Sequence, residues 1–153
     1  MAIQFLHSGI WERITALTKK QSGKCQVAVA YFGKHASELL PLEKGSTLVV
    51  DMSRKAVGSG QTNPSEIIKL LKNGVEIHSV ENLHAKVFVL GKSAIVGSTN
   101  VSQLSAGSLI EAAIETTDAA IVASCKRFVL DYAGEYITLQ YARRTTRVLR
   151  SSS

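Results

Sequence analysis

Cysteine, proline and aromatic residues are all scarce in this chain. Its 153 residues include two Cys, two Pro and 6% aromatics. Cys25 and Cys125 stand far apart and outside any paired motif, which excludes a disulfide framework and a zinc site of the usual spacing. They read as two ordinary thiols of a cytoplasmic protein. No run of about 20 apolar residues occurs, so no membrane span is expected. The start, Met1 to Leu6, lacks the basic stretch and long apolar run of a signal peptide. Charge is low at 20% and hydrophobic content high at 45%, a balance that excludes a disordered chain. The length suits one domain, which buries roughly 70% of its unfolded surface without help from a disulfide or metal. Acidic residues are outnumbered, 12 against 18 basic, for a net charge of +6. That surplus is compatible with an anionic partner but does not choose between nucleic acid, lipid headgroup and simple solubility.

The apolar pattern alternates between helical and strand periods. Ile10, Ile14 and Leu17, with Trp11, predict a helix over Gly9–Lys20, capped by Ser8 and broken at Gln21-Ser22-Gly23-Lys24. Strands are expected over Gln26–Phe32 and Ser46–Met52, with a short helix at Ala36–Leu42 that Pro41 limits. Ser53–Asn63, rich in Gly and Ser, reads as a mobile surface loop. Asn63-Pro64 opens a helix with Glu66 early and Lys69 and Lys72 late, as the helix dipole favours, and Asn73-Gly74 ends it. Further strands are expected at Val75–Val80, Lys86–Leu90, Ser93–Val96 and Leu109–Glu115. Gly91-Lys92 makes a hairpin of the middle two. Thr117 or Asp118 caps a helix reaching about Ala133. This order predicts an α/β protein with a mixed β-sheet flanked by helices. The catalytic domain is expected over residues 1–140, followed by a basic tail or linker over 141–153.

One constellation carries chemistry. A lone histidine is usually structural or superficial, and His7, His35 and His78 have that character. His84 and Lys86 stand two apart at a strand start, where both side chains share a face. The hairpin returns the chain to Gly97-Ser98-Thr99-Asn100, so His84, Lys86, Ser98 and Asn100 are expected at one end of the sheet. Imidazole serves as nucleophile or acid near neutral pH. An ammonium and an amide can hold phosphoryl oxygens as charge builds on them. No carboxylate cluster or Cys/His ligand set lies nearby in sequence, so neither metal nor other cofactor is expected.

These residues resemble the signature of the phospholipase D superfamily, His-x-Lys followed by Gly-Ser-x-Asn. The resemblance is strongest over about Glu81–Thr117. It implies a phospholipase D-like domain, with His84 as catalytic histidine, Lys86 as its lysine, and Ser98 and Asn100 as the phosphate-binding pair. It also implies a Glu on the following strand, hydrogen-bonded to the histidine; Glu111 matches, with Glu115 as second choice. Where the signature often carries Asp, this chain has Gly91. That departure points to the single-motif, nuclease-like branch, which includes catalytic domains of metal-independent restriction endonucleases.

The family mechanism needs two histidines on opposite sides of phosphorus, and this chain has one His-x-Lys. A two-fold homodimer with one composite active site follows as the expectation. The expected function is that of a metal-independent phosphodiesterase, a nuclease working through a phosphohistidine. Its expected partner is nucleic acid, DNA ahead of RNA, with no membrane. Arg54 and Lys55, with Arg143, Arg144 and Arg147, are candidate phosphate contacts. A lipid or small-molecule phosphodiesterase, and a catalytically silent nucleic-acid-binding dimer, stand as the alternatives.

Overall fold

Apolar residues on both sides of the central strands require cover on both faces of the sheet, and helices provide it. The computed structural model describes residues 2–21 and 23–152, with side chains for all of these except 104 and 148–152. Among the described residues the strands are β1 (Ile3–Leu6), β2 (Cys25–Val29), β3 (Thr47–Val50), β4 (Glu76–Ser79), β5 (Lys86–Leu90), β6 (Ser93–Gly97), β7 (Ala113–Thr116) and β8 (Glu135–Tyr136). They form one sheet in the order β1-β7-β6-β5-β2-β3-β4-β8. β2, β3 and β4 run parallel, and the other neighbours are antiparallel. The helices are α1 (Ile10–Lys19), α2 (Ala36–Leu39), α3 (Arg54–Gly58), α4 (Pro64–Lys72), α5 (Gln103–Gly107), α6 (Ala119–Asp131) and α7 (Leu139–Ser152). The fold is the expected α/β arrangement, a mixed sheet flanked by helices.

One face carries Val27, Val29, Leu48, Val50, Phe88 and Leu90, packed in a single core with Trp11, Ile14, Ile67, Leu70 and Ala142 of α1, α4 and α7. Trp11 meets Phe88 edge-on, ring centroids 5.7 Å apart. The opposite face presents Ala28, Val49, Val87 and Val89 to Val129 of α6. α6 covers only part of that face. Ile3, Phe5, Ile114 and Val96 lie on the same side of β1, β7 and β6 and remain exposed.

Several expectations change on physical grounds. α1 starts from Gly9 in the left-handed region (φ 61°), with no side-chain cap bond, so Ser8 does not cap it. Residues 53–63 are not simply a loop: Ser53 accepts the Ala56 amide at 3.3 Å and caps α3. α2 ends at Leu39, earlier than expected. The strand expected over 109–115 begins only at Ala113, because Ala112 is engaged by Ser98 instead. β1 and β8 are additional; with only four and two residues they offer no period to read. Residues 141–152 of the expected tail lie in α7, whose Ala142 is fully buried against the core. Met1, Ser22 and Ser153 lie outside the described residues, as does the side chain of Arg150.

Two buried carboxylates tie helices to this frame. Glu66 is buried and accepts from Ser37 N at 3.0 Å, Ser37 Oγ at 2.8 Å and Lys69 Nζ at 2.8 Å. It therefore joins α2 to α4, a larger task than complementing a dipole. Burial alone would raise its pKa, but the bonds from Lys69 and Ser37 outweigh burial and hold it low. Arg13 of α1 grips the buried Glu115 of β7 with two bonds of 2.8 Å. Those bonds hold Glu115 below its ordinary carboxylate range. Burial also pushes the Cys25 thiol up to about 11.

Because the folded pKa of Glu115 is depressed, its pair contributes stability above the unfolded value of about 4.3. That contribution is lost as pH falls through the lower folded value. Glu115→Gln is expected to lower Tm by roughly 3–6 °C near neutral pH. The gap to wild type should close as pH is lowered, followed by circular dichroism; a constant gap would refute the assignment.

Candidate active site

Strand direction decides which residues meet. Val29 pairs with Lys86, Val87 with Val96, and Gly97 with Ala113. The exits of β2 and β6 and the starts of β5 and β7 therefore lie at one end of the sheet. The exit of β3 joins them, since Val29 also pairs with Val50.

His84 stands in the segment just before β5, which begins at Lys86. Three contacts set this segment. Asn82, left-handed at φ 67°, donates its backbone N–H to Asp51 Oδ2 at 3.2 Å. Leu83 is buried in the core beneath α6, and the Ala85 carbonyl accepts from Ala30 N at 3.1 Å. Asp51 also accepts from Ser53 N at 2.9 Å, so one buried carboxylate joins the His84 segment to the start of α3. The His84 side chain is exposed, and its ring makes no hydrogen bond among the described residues. Lys86 donates to the His84 carbonyl at 2.8 Å. Partial burial lowers the Lys86 pKa, and the charge of Glu111 opposes that shift.

Ser98 and Glu111 are directly bonded, Ser98 Oγ donating to Glu111 Oε2. Ser98 Oγ also accepts from Ala112 N at 3.2 Å, and Ser98 N donates to the Ala112 carbonyl at 3.1 Å. Glu111 thus bonds the serine rather than the histidine, the contact expected for it. Glu115, the second choice, points to the α1 face and is occupied by Arg13. Gly97 is required by packing. A Cβ there would press on the Ala112 carbonyl oxygen and lie 2.6 Å from Ala113 Cβ, so the glycine admits β7 rather than a ligand.

Asn100 Oδ1 accepts the Tyr31 amide at 3.2 Å. An amide hydrogen requires an acceptor, which fixes the orientation of the Asn100 side chain and leaves its NH2 as the donor end. Behind it, Trp11 Nε1 donates to Thr99 Oγ1 at 2.7 Å, anchoring the turn from the core side. The constellation brings together an exposed imidazole, an ammonium, an amide donor and a serine–carboxylate pair. Such a set can attack and stabilise an anionic, oxygen-rich centre. Among the described residues, no group of three or more His, Cys, Asp or Glu is arranged to hold a metal ion.

The basic candidates divide. Arg54 of α3 and Arg144 of α7, distant in sequence, line one cleft of about 260 Å³ with Tyr141. Arg143, Arg144 and Arg147 line a second of about 310 Å³. Lys55 lines neither. Asp51 and Tyr31 carry no signature in the sequence, since a polar or aromatic residue at a strand end has no periodic signal. Gly91, where the signature often has Asp, has φ 68° at the first turn position of the β5–β6 hairpin, as a two-residue type II′ turn requires.

No family model matches the sequence, and no curated protein matches it. Solved structures do. Nuc, a phospholipase D family member from Salmonella typhimurium, superposes with a TM-score of 0.68 at 14% identity, covering 89% of this chain and 97% of Nuc. NucT from Helicobacter pylori gives 0.66 at 12% identity, covering 89% and 98%. Phosphatidylserine synthase from Haemophilus influenzae gives 0.66 at 14% identity, over 98% of this chain and 42% of that one. The archaeal chromatin protein TrmBL2, described with a novel mode of DNA binding, gives 0.58 at 9% identity, over 86% and 52%. The chain has the phospholipase D fold, as the motif resemblance implied. No helix among the described residues is long and apolar enough to cross a membrane.

Gly97→Ala tests the local packing of the site. It is expected to cost roughly 1–3 kcal/mol in urea unfolding, because the contact is with backbone that cannot move aside. Stability equal to wild type would show that β7 does not need this close approach.

Proposed function

We propose that the protein is a metal-independent phosphodiesterase that hydrolyses nucleic-acid phosphodiester bonds through a phosphohistidine, acting as a two-fold homodimer. The observation that carries this reading is the convergence of exposed His84 with Lys86, Asn100 and the Ser98–Glu111 pair at one sheet end. His84 of one copy attacks phosphorus in line. The P–N bond forms as the P–O bond to the leaving group breaks, and protonated His84 of the second copy gives its proton to the departing oxygen. That imidazole, now neutral, then takes a proton from water as the water oxygen attacks phosphorus. The P–N bond breaks, releasing the phosphomonoester. Lys86 and the Asn100 NH2 stabilise the charge on the non-bridging oxygens. Glu111 fixes Ser98 and favours the charged form of Lys86.

Two features support the second copy. The chain has one His-x-Lys, half of what the two-step reaction needs. The exposed apolar strip of Ile3, Phe5, Ile114 and Val96 ends beside Gly97 and Ala113 at the site, and a second copy would cover it. Nucleic acid is the substrate class that best uses the net charge of +6 and the Arg54–Arg144 cleft. Arg143, Arg147 and Lys55 add further phosphate contacts. Neighbours of the same fold are described as a DNA-binding chromatin protein and a phosphatidylserine synthase, so phosphate-bearing ligands recur on it.

Plasmid DNA, RNA and bis-p-nitrophenyl phosphate are to be incubated in EDTA with wild type and His84→Ala. Wild type is expected to cleave nucleic acid, and the variant to lose turnover while light scattering still reports a dimer. A strict magnesium requirement, or an active stable monomer, would overturn the mechanism. Cleavage of the generic ester alone points instead to a lipid or other small phosphodiester. Asn100→Asp keeps the acceptor for Tyr31 but replaces the donor end with an anion. It is expected to reduce kcat by about 100-fold or more with little change in Tm.

A further inference from the structure

We propose that the groove beside Asn100 is a nucleoside subsite, holding the nucleoside attached to the scissile phosphate; this rests on the phosphodiesterase reading above. The groove has a volume of about 760 Å³, within the usual range for small ligands. Three chain segments wall it: the stretch after β2, the loop around Gln61, and the run from Asn100 through α5 to Leu109. It begins at Asn100, the residue assigned to the phosphoryl oxygens, so a ligand filling it is continuous with the reacting group.

The walls are fixed before any ligand arrives. Phe32 and Val101 form a parallel bridge. Gly33 N donates to the Val101 carbonyl at 2.8 Å, Gln103 N to the Lys34 carbonyl at 3.1 Å, and Asn63 N to the Phe32 carbonyl at 2.8 Å. A Cβ at Gly33 would lie 3.2 Å from Ser102 Cβ and 3.4 Å from the Gln61 carbonyl oxygen, so the glycine lets the three walls close together.

The lining matches a nucleoside in chemistry. Tyr31, half-exposed, is held at the site by its own amide bond to Asn100, and with Leu109 it offers an apolar surface on which a base can stack. Gln61 and Gln103 present side-chain amides, which pair with the polar edges of a base or with sugar hydroxyls. Among the described residues no acidic one lines the groove, and Lys34 is the one charged lining residue, suited to the next phosphate along a strand. A diacyl lipid would call for a wider apolar surface than one tyrosine and one leucine.

The test uses esters that share one leaving group. The p-nitrophenyl esters of thymidine 5′-phosphate and thymidine 3′-phosphate are compared with bis-p-nitrophenyl phosphate. Wild type is expected to favour one thymidine ester by about tenfold or more in kcat/KM. Tyr31→Leu, which keeps the backbone amide for Asn100, should abolish that preference. Tyr31→Phe should retain it, and Gln103→Ala, at an exposed position, should weaken it. A wild type indifferent to the nucleoside, or a preference unchanged in Tyr31→Leu, would overturn the subsite while leaving the phosphodiesterase reading intact. Failure of wild type to hydrolyse any of the three esters would overturn that reading itself.

Discussion

The hydrogen-bonded register of β2, β5, β6 and β7 is the constraint on which everything else depends. It sets Lys86 against Val29 and Gly97 against Ala113, and so decides which loop residues share a sheet end. A slip of one residue between β5 and β2 would turn Lys86 from the Phe88 side of the sheet to the Val87 side. Both faces of these strands are packed, so such a slip would also expose one apolar set and bury the wrong one. The core therefore enforces the geometry of the polar end without any functional side chain contributing much to packing.

Around that end, ordinary structural bonds engage part of the Asn100 and Lys86 side chains and leave the remaining donors free. Asn100 spends its carbonyl on Tyr31 and keeps its amide hydrogens. Lys86 spends one hydrogen on the His84 carbonyl. Asp51 is consumed entirely, with one oxygen on Ser53 and the other on Asn82, and it holds two segments in place without taking part in chemistry. Such arrangements supply rigidity before a ligand binds, which is what makes electrostatic stabilisation of a developing charge effective.

How much of this is readable from sequence differs by kind of feature. The strands at the centre, the hairpin at Gly91-Lys92 and the helix opened by Asn63-Pro64 are legible because period, turn chemistry and capping agree there. The clustering of His84, Lys86, Ser98 and Asn100 at one end follows from hairpin geometry alone. What escapes is long-range pairing. Nothing in Ile3–Leu6 announces that it docks against β7, nothing in Glu115 announces Arg13, and nothing in Glu111 announces that its hydrogen bond goes to Ser98. The convergence of Arg54 and Arg144 is of the same kind, for two residues far apart in sequence meet only because α7 packs beside α3 and α4.

Trp11 gives the site an optical reporter. It is the chain's one tryptophan. The residue is 4% exposed; its indole lies edge-on against Phe88 and donates its N–H to Thr99, the residue between Ser98 and Asn100. Tryptophan emission depends on local polarity and hydrogen bonding, so the tryptophan signal of each chain, excited at wavelengths where the four tyrosines scarcely absorb, comes from one place, the back wall of the turn that carries the amide donor. Events in that turn are visible by spectroscopy without any label.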